Sequence, residues 1–162
     1  MSRDARSRER IGPRYVRRYD LRGTALGTDC RADRVRAVRL IHTCYRITDP
    51  HRSVAFYEAL GLEKRREMPI RDEATNIFMG VPGEELPELE LTHNYGVESY
   101  ELGTAYGHVA LTVDDLDVTL EHLKEMGIEP EKPPYRIREG GSRLCFVRDP
   151  DGYRIELLEP AG

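Results

Sequence analysis

Glu88-Leu-Glu-Leu-Thr-His93 and Arg154-Ile-Glu-Leu-Leu-Glu159 lie 66 residues apart, and sliding the chain on itself by that distance lays Glu90 on Glu156. The same ungapped shift lays His42 on His108, so each half carries a His-x47-Glu pair. Asp49 meets Asp115, Gly61 meets Gly127, Glu63 meets Glu129, Val81 meets Val147 and Leu91 meets Leu157. Between them the apolar residues Val54, Tyr57, Leu60 and Leu62 meet Leu120, Leu123, Met126 and Ile128. Two copies of so long a period do not make a solenoid. They read as two fused half-domains.

Each half has the grammar strand, helix, three strands. Val38–Ile47 is rich in β-formers. Asp49 suits a helix N-cap and Pro50 the first helical position. Ser53–Leu60 puts Val54, Tyr57 and Leu60 on one face, and Gly61 supplies the stop. Leu62–Met68, Ala74–Val81 and Leu86–His93 follow as strands, with a turn at Pro82-Gly83. In the second half Gly107–Val113 is a strand, Asp114 or Asp115 a cap, and Leu116–Met126 a helix closed by Gly127. Strands follow near Ile128–Glu129, Ser142–Val147 and Tyr153–Leu158, with Asp149-Pro-Asp-Gly152 as a hairpin turn. The expectation is an α+β protein: two tandem βαβββ modules, about 38–95 and 105–159, forming a curved, mostly antiparallel sheet around a metal cleft.

The 162 residues suffice for one domain with a real core. No apolar run approaches the roughly 18 residues of a membrane span, so no membrane role is expected. The net charge of −4 is unevenly spread: residues 1–37 hold 11 Arg against 5 acids, and the remainder is strongly acidic. That Arg-rich extension interleaves its acids, has no apolar core and only two serines, which argues against nucleic-acid binding and import and for a disordered tail. Val38 is a candidate for the true start, with 38–162 as the domain. Cys30, Cys44 and Cys145 form no CxxC pair and no even framework, which fits a reducing, cytoplasmic compartment. Cys44 and Cys145 lie in apolar runs and are expected to act as small buried hydrophobes.

In a βαβββ unit the first and last strands can be neighbours, which would bring His42 to Glu90 and His108 to Glu156. Glu90 sits between Leu89 and Leu91, and Glu156 between Ile155 and Leu157. A carboxylate buried in such a strand needs a partner or a metal. Glu88 alternates with Glu90, so one of these acids could instead face solvent, and a lone strand histidine is commonly core. The duplicated register is what favours His42, Glu90, His108 and Glu156 as ligands of one ion. Imidazole and carboxylate together suit Ni, Zn, Co, Fe or Mn. His51 and His122 are expected on exposed helix positions, and His93 at a strand end.

Arg39-Leu-Ile-His-Thr43, Glu90-Leu-Thr-His-Asn94, Tyr100-Glu-Leu-Gly-Thr-Ala-Tyr-Gly-His108 and Asp149-Pro-Asp-Gly-Tyr-Arg-Ile-Glu156 resemble glyoxalase I (lactoylglutathione lyase), of the vicinal oxygen chelate superfamily. The match runs from about Val38 to Glu159, and its most specific part is the linker Asn94–His108. The resemblance implies one divalent metal held by His42, Glu90, His108 and Glu156. It also implies a homodimer whose sites combine the first half of one chain with the second half of the other. Short loops suggest Ni(2+), with Zn or Co as alternatives. The reaction implied is isomerisation of the methylglyoxal–glutathione hemithioacetal to S-lactoylglutathione by enediolate proton transfer, a detoxification. Glu156 is the expected base and Glu90 its counterpart, the two catalytic carboxylates. Arg46 and Asn94 are expected at the γ-glutamyl end of glutathione, and Arg138 and Arg143 are candidates for its glycyl carboxylate.

Two rivals share the fold. An extradiol dioxygenase needs only two histidines and one carboxylate on iron, and an epimerase is a further metal enzyme of this kind. A small-molecule binding or resistance protein has no use for four ligands.

Overall fold

The computed structural model describes residues 38–162. The expectations for the Arg-rich segment, for Cys30 and for an alternative start lie largely or wholly outside them. Module one contains β1 (His42–Ile47), α1 (Pro50–Ala59), β2 (Glu63–Ile70), β3 (Ala74–Gly80) and β4 (Glu88–Asn94). Module two contains β5 (Val109–Thr112), α2 (Leu116–Glu125), β6 (Tyr135–Arg136), β7 (Arg143–Arg148) and β8 (Arg154–Glu159).

The βαβββ order holds in both modules. Instead of one continuous sheet there are two four-stranded sheets of the same topology, β1-β4-β3-β2 and β5-β8-β7-β6. The outer pairs β1·β4 and β5·β8 are parallel and the other four pairings antiparallel. One strand expectation fails: Ile128–Glu129 is not a strand, and the third-from-last strand lies further on, at Tyr135–Arg136. Two residues there pair with β7, and Pro130, Pro133 and Pro134 in the approach cannot donate to a ladder.

The helices start as their sequences dictate. Asp49 accepts from the backbone N–H of His51 and Arg52, with Pro50 following at the first helical position. Asp115, not Asp114, does the same for α2 through Asp117 and Val118. Gly61 and Gly127, at φ +90° and +75°, occupy the left-handed conformation that lets the chain leave each helix. α1 buries Ser53, Phe56 and Tyr57, and α2 buries Leu116 and Leu123. Each helix covers one face of its sheet, built in module one from Ile77, Met79, Leu89 and Leu91 and in module two from Cys145, Val147, Ile155 and Leu157. Cys145 is thus core, as expected, and burial pushes its thiol up to about 11. Cys44 departs from expectation: it is exposed, because β1 turns it to the face without a helix.

The modules are joined by polar bonds of long sequence span. The Asp149-Pro-Asp-Gly152 turn sits against the start of α1. Asp151 accepts from the Thr48 backbone and hydroxyl at 3.0 and 2.6 Å and from Ser53 Oγ at 3.3 Å. Asp149 accepts from the buried Tyr57 hydroxyl at 3.0 Å and from the backbone of Asp151 and Tyr153. Beside it Tyr45 stacks on Tyr153, with centroids 4.4 Å apart, and the linker's Tyr106 packs edge-on to both. Tyr106 donates to the Arg154 carbonyl and accepts from Tyr45.

Desolvation raises Asp149 above the usual carboxylate range, opposed by the donors that hold it. Tyr57→Phe removes one of those donors and leaves a buried carboxylate oxygen short of a partner. It should cost about 1–3 kcal/mol of unfolding free energy with an unchanged denaturant slope. Urea titration followed by circular dichroism measures this, and an unchanged midpoint would refute the role given to the bond.

Candidate metal centre

Parallel pairing of the first and last strands sets the site. In β4, Glu88, Glu90 and Thr92 point away from α1 while Leu89 and Leu91 point toward it. Glu88 therefore shares a face with Glu90 and does not face the opposite side. β1 runs alongside with Cys44 opposite Glu90 and His42 opposite Glu88, which places the imidazole diagonally next to the carboxylate. His42 Nε2 lies 3.2 Å from Glu90 Oε2. In module two Ala110 is opposite Glu156, and His108, just before β5, reaches it from the same diagonal, 3.1 Å from Nε2 to Oε2. The carboxylates are 12% and 14% exposed and the imidazoles 37% and 40%, so each pair is rooted in the sheet with its histidine open to the helix-free side.

These donors fit a divalent ion. Nitrogen and oxygen ligands about 2.1 Å from a common ion sit about 3 Å apart when at right angles around it, close to both observed separations. Each pair offers one nitrogen and one oxygen donor. Among the described residues no third His, Cys, Asp or Glu joins either pair, so one chain presents two separate His–Glu pairs.

Behind each pair lies a support that the 66-residue shift did not expose. Phe78 and Phe146 are the cross-strand neighbours of Glu90 and Glu156. The His42 and His108 rings meet them edge-on, with centroids 6.1 and 5.2 Å apart. An arginine lies over the ring of each: Arg66 at 3.7 Å over Phe78, and Arg154 at 3.9 Å over Phe146. Each arginine is gripped by a glutamate through two nitrogens, Arg66 by Glu88 and Arg154 by Glu131. The polarity is reversed between modules. The residue two before the histidine-paired glutamate is the acid Glu88 in one and the base Arg154 in the other.

The phenylalanines escape the 66-residue comparison because they lie 68 apart. Phe78 precedes Glu90 by twelve residues and Phe146 precedes Glu156 by ten, the β3–β4 connection being two residues longer. For the same reason the structural counterpart of Val147 is Met79 and not Val81.

The remaining candidates are spread out. Arg46 shares the face of His42, exposed, with no ion-pair partner among the described residues. Asn94 ends β4 on the parity of Glu90 and donates to the Tyr100 hydroxyl at 2.9 Å. Arg138 is exposed in the loop between β6 and β7. Arg143 lies on the helix side, opposite to Glu156, held by Asp117 at 2.7 Å and Glu159 at 3.4 Å. That bond holds Asp117 below the usual carboxylate range. His51 and His122 are exposed on the helices, and His93 ends β4 with its ring edge-on to Tyr95.

Residues 39–157 match the family model described as Glyoxalase/Bleomycin resistance protein/Dioxygenase superfamily. A probable chloroplastic lactoylglutathione lyase of Arabidopsis thaliana is 40% identical over 124 residues, 75% of this chain and 35% of that protein. The chain thus spans about a third of that relative. A lactoylglutathione lyase of Salmonella typhimurium is 40% identical over 125 residues, 75% of this chain and 93% of that protein. Among solved structures, the trypanothione-dependent glyoxalase I of Leishmania major superposes with a TM-score of 0.66 at 38% identity, covering 76% of this chain and 87% of that one.

The Arg154 guanidinium holds Glu131 below the usual carboxylate range. A depressed carboxylate contributes stability above its unfolded value and loses it as pH falls through the folded one. Glu131→Gln removes that contribution at every pH. The stability gap between wild type and variant should therefore be widest near neutrality and close as the pH drops below about 4.3, the ordinary glutamate value. Urea unfolding from pH 7 to 3 tests it, and a gap that widens in acid contradicts the pairing.

Proposed function

The chain belongs to the Glyoxalase/Bleomycin resistance protein/Dioxygenase superfamily, and from that membership we propose that it is a metal-dependent lactoylglutathione lyase. It isomerises the methylglyoxal–glutathione hemithioacetal to S-lactoylglutathione, as a detoxifying step in the cytoplasm. The observation that carries this is the pair of His–carboxylate half-sets at matching register, in a chain 40% identical over nearly the full length of a bacterial lactoylglutathione lyase.

His42, Glu90, His108 and Glu156 would hold the ion, nickel by preference and zinc or cobalt as alternatives. When bound, it supplies Lewis acidity to the substrate's two oxygens. The protein's own part is to move one proton between adjacent carbons. Glu156 takes it from the carbon bearing sulfur and returns it to the neighbour, an isomerisation with no net gain or loss of protons. Arg46 and Asn94, on the face of His42 and Glu90, would receive the γ-glutamyl carboxylate. Arg143 is occupied on the other face, which leaves Arg138 for the glycyl end. The Leishmania relative is described as trypanothione-dependent, so the thiol itself is part of the test.

A homodimer completes the site: two half-sets on one chain become two full sets when module one of one copy meets module two of the other. A mixture of His42→Ala and His108→Ala subunits tests this. Each variant alone should be inactive, and refolding them together at equal ratio should restore about a quarter of wild-type activity, from the one intact site of each mixed dimer. No recovery would place the four ligands within one chain.

Two further outcomes test the chemistry. Chelator-stripped protein should be inert and regain turnover of methylglyoxal with glutathione on titration with nickel or cobalt, zinc being titrated separately. Glu156→Gln should fold normally and lose activity by at least about 100-fold, and a near-wild-type rate would remove it as the base.

A further inference from the structure

Glu90 and Glu156 occupy matching positions and are almost equally buried, at 12% and 14% exposure. Their surroundings are not alike. Glu90 Oε1 accepts from Asn76 Nδ2 at 2.9 Å and from Thr92 Oγ1 at 3.2 Å, while Oε2 faces His42. Thr92 Oγ1 also lies 3.1 Å from Asn76 Oδ1 and 3.3 Å from Cys44 Sγ. Asn76 on β3 and Thr92 on β4 converge on one carboxylate oxygen, and Cys44 on β1 backs the Thr92 hydroxyl.

In module two the same places hold no donors. Thr92 corresponds to Leu158 and Cys44 to Ala110 in the 66-residue register. Asn76, opposite Thr92, corresponds to Leu144, opposite Leu158. Among the described residues the Glu156 carboxylate has His108 as its one polar side-chain contact. Hydrogen bonds to an ionised acceptor are stronger than neutral ones and fix its orientation. Glu90 cannot rotate without leaving Asn76 and Thr92, whereas the corresponding positions around Glu156 carry leucine and alanine, which offer no hydrogen bond to lose.

We propose that Asn76 and Thr92 are positioning residues that clamp Glu90 as the stationary ligand, and that the apolar Leu144 and Leu158 keep Glu156 free to move. The asymmetry decides which of two duplicated carboxylates transfers the proton. This rests on the metal-dependent function proposed above, and it adds residues that act through Glu90.

The test strips the clamp and then transplants it. Asn76→Leu with Thr92→Val gives module one the apolar surroundings of module two. Divalent-ion affinity, measured as nickel competition against a chromophoric chelator, should fall about 10–100-fold. Thr92→Val alone, nearly isosteric, should show part of the loss, and Thr92→Ser should restore it. Conversely, Leu144→Asn with Leu158→Thr installs donors beside Glu156. That variant should bind nickel at least as tightly as wild type, with kcat reduced about tenfold or more and KM little changed. Unchanged nickel affinity in a folded Thr92→Val and in the double variant overturns the clamp. An unchanged kcat in the transplant overturns the link to mobility. If wild type fails to turn over the hemithioacetal, the proposed function fails, while the nickel affinities still judge the clamp.

Discussion

The structure depends on parallel contact between the first and last strand of each module. It is the one pairing in a βαβββ unit that joins residues nearly fifty apart in sequence. The intervening helix exists to allow it, since parallel strands cannot be joined by a tight turn. Strand alternation then does the sorting. Once β1 lies beside β4, His42 and Glu90 share a face while Tyr45, Leu89 and Leu91 take the other. The helix needs an apolar face to cover, and that demand sends the polar set to the open side. Core and site are thus two consequences of a single register.

The arrangement occurs twice in the chain, and the two copies differ in the residues around the His–Glu pairs more than in the pairs themselves. The histidine, the carboxylate, the phenylalanine behind them and the arginine over its ring are present in both modules. The ion pair that holds the arginine has exchanged its signs, and among the described residues the two donors to Glu90 have no counterpart around Glu156. A site that needs two different carboxylates can be made from two identical ones by altering what surrounds them.

How much was legible in the sequence follows from what a repeat reveals. The pairing of His42 with Glu90 and of His108 with Glu156 was visible because their connection keeps its length, and the helix caps because Asp49 and Asp115 have strong local chemistry. Phe78 and Phe146 were hidden by two extra residues in one hairpin. Asn76 and Thr92 were hidden because they matter by differing between the modules, and a comparison looking for matches passes over differences. Arg143 looked available in sequence, yet strand parity turns it to Asp117 and Glu159. Cys44 looked buried because its neighbours are apolar, but alternation exposes it. The displaced strand at Tyr135–Arg136 is too short for any periodic signal to mark.

The turn at Asp149–Gly152 links residues about a hundred positions apart: Thr48 to Asp151, Ser53 to Asp151 and Tyr57 to Asp149. A ribosome releases the start of α1 long before it releases the acids that complete its surroundings. Module one therefore waits, with the Tyr57 hydroxyl and the Thr48 amide unpaired, until nearly the whole chain has emerged. Such high contact order slows folding. It also ties the two modules together through bonds that neither can form alone.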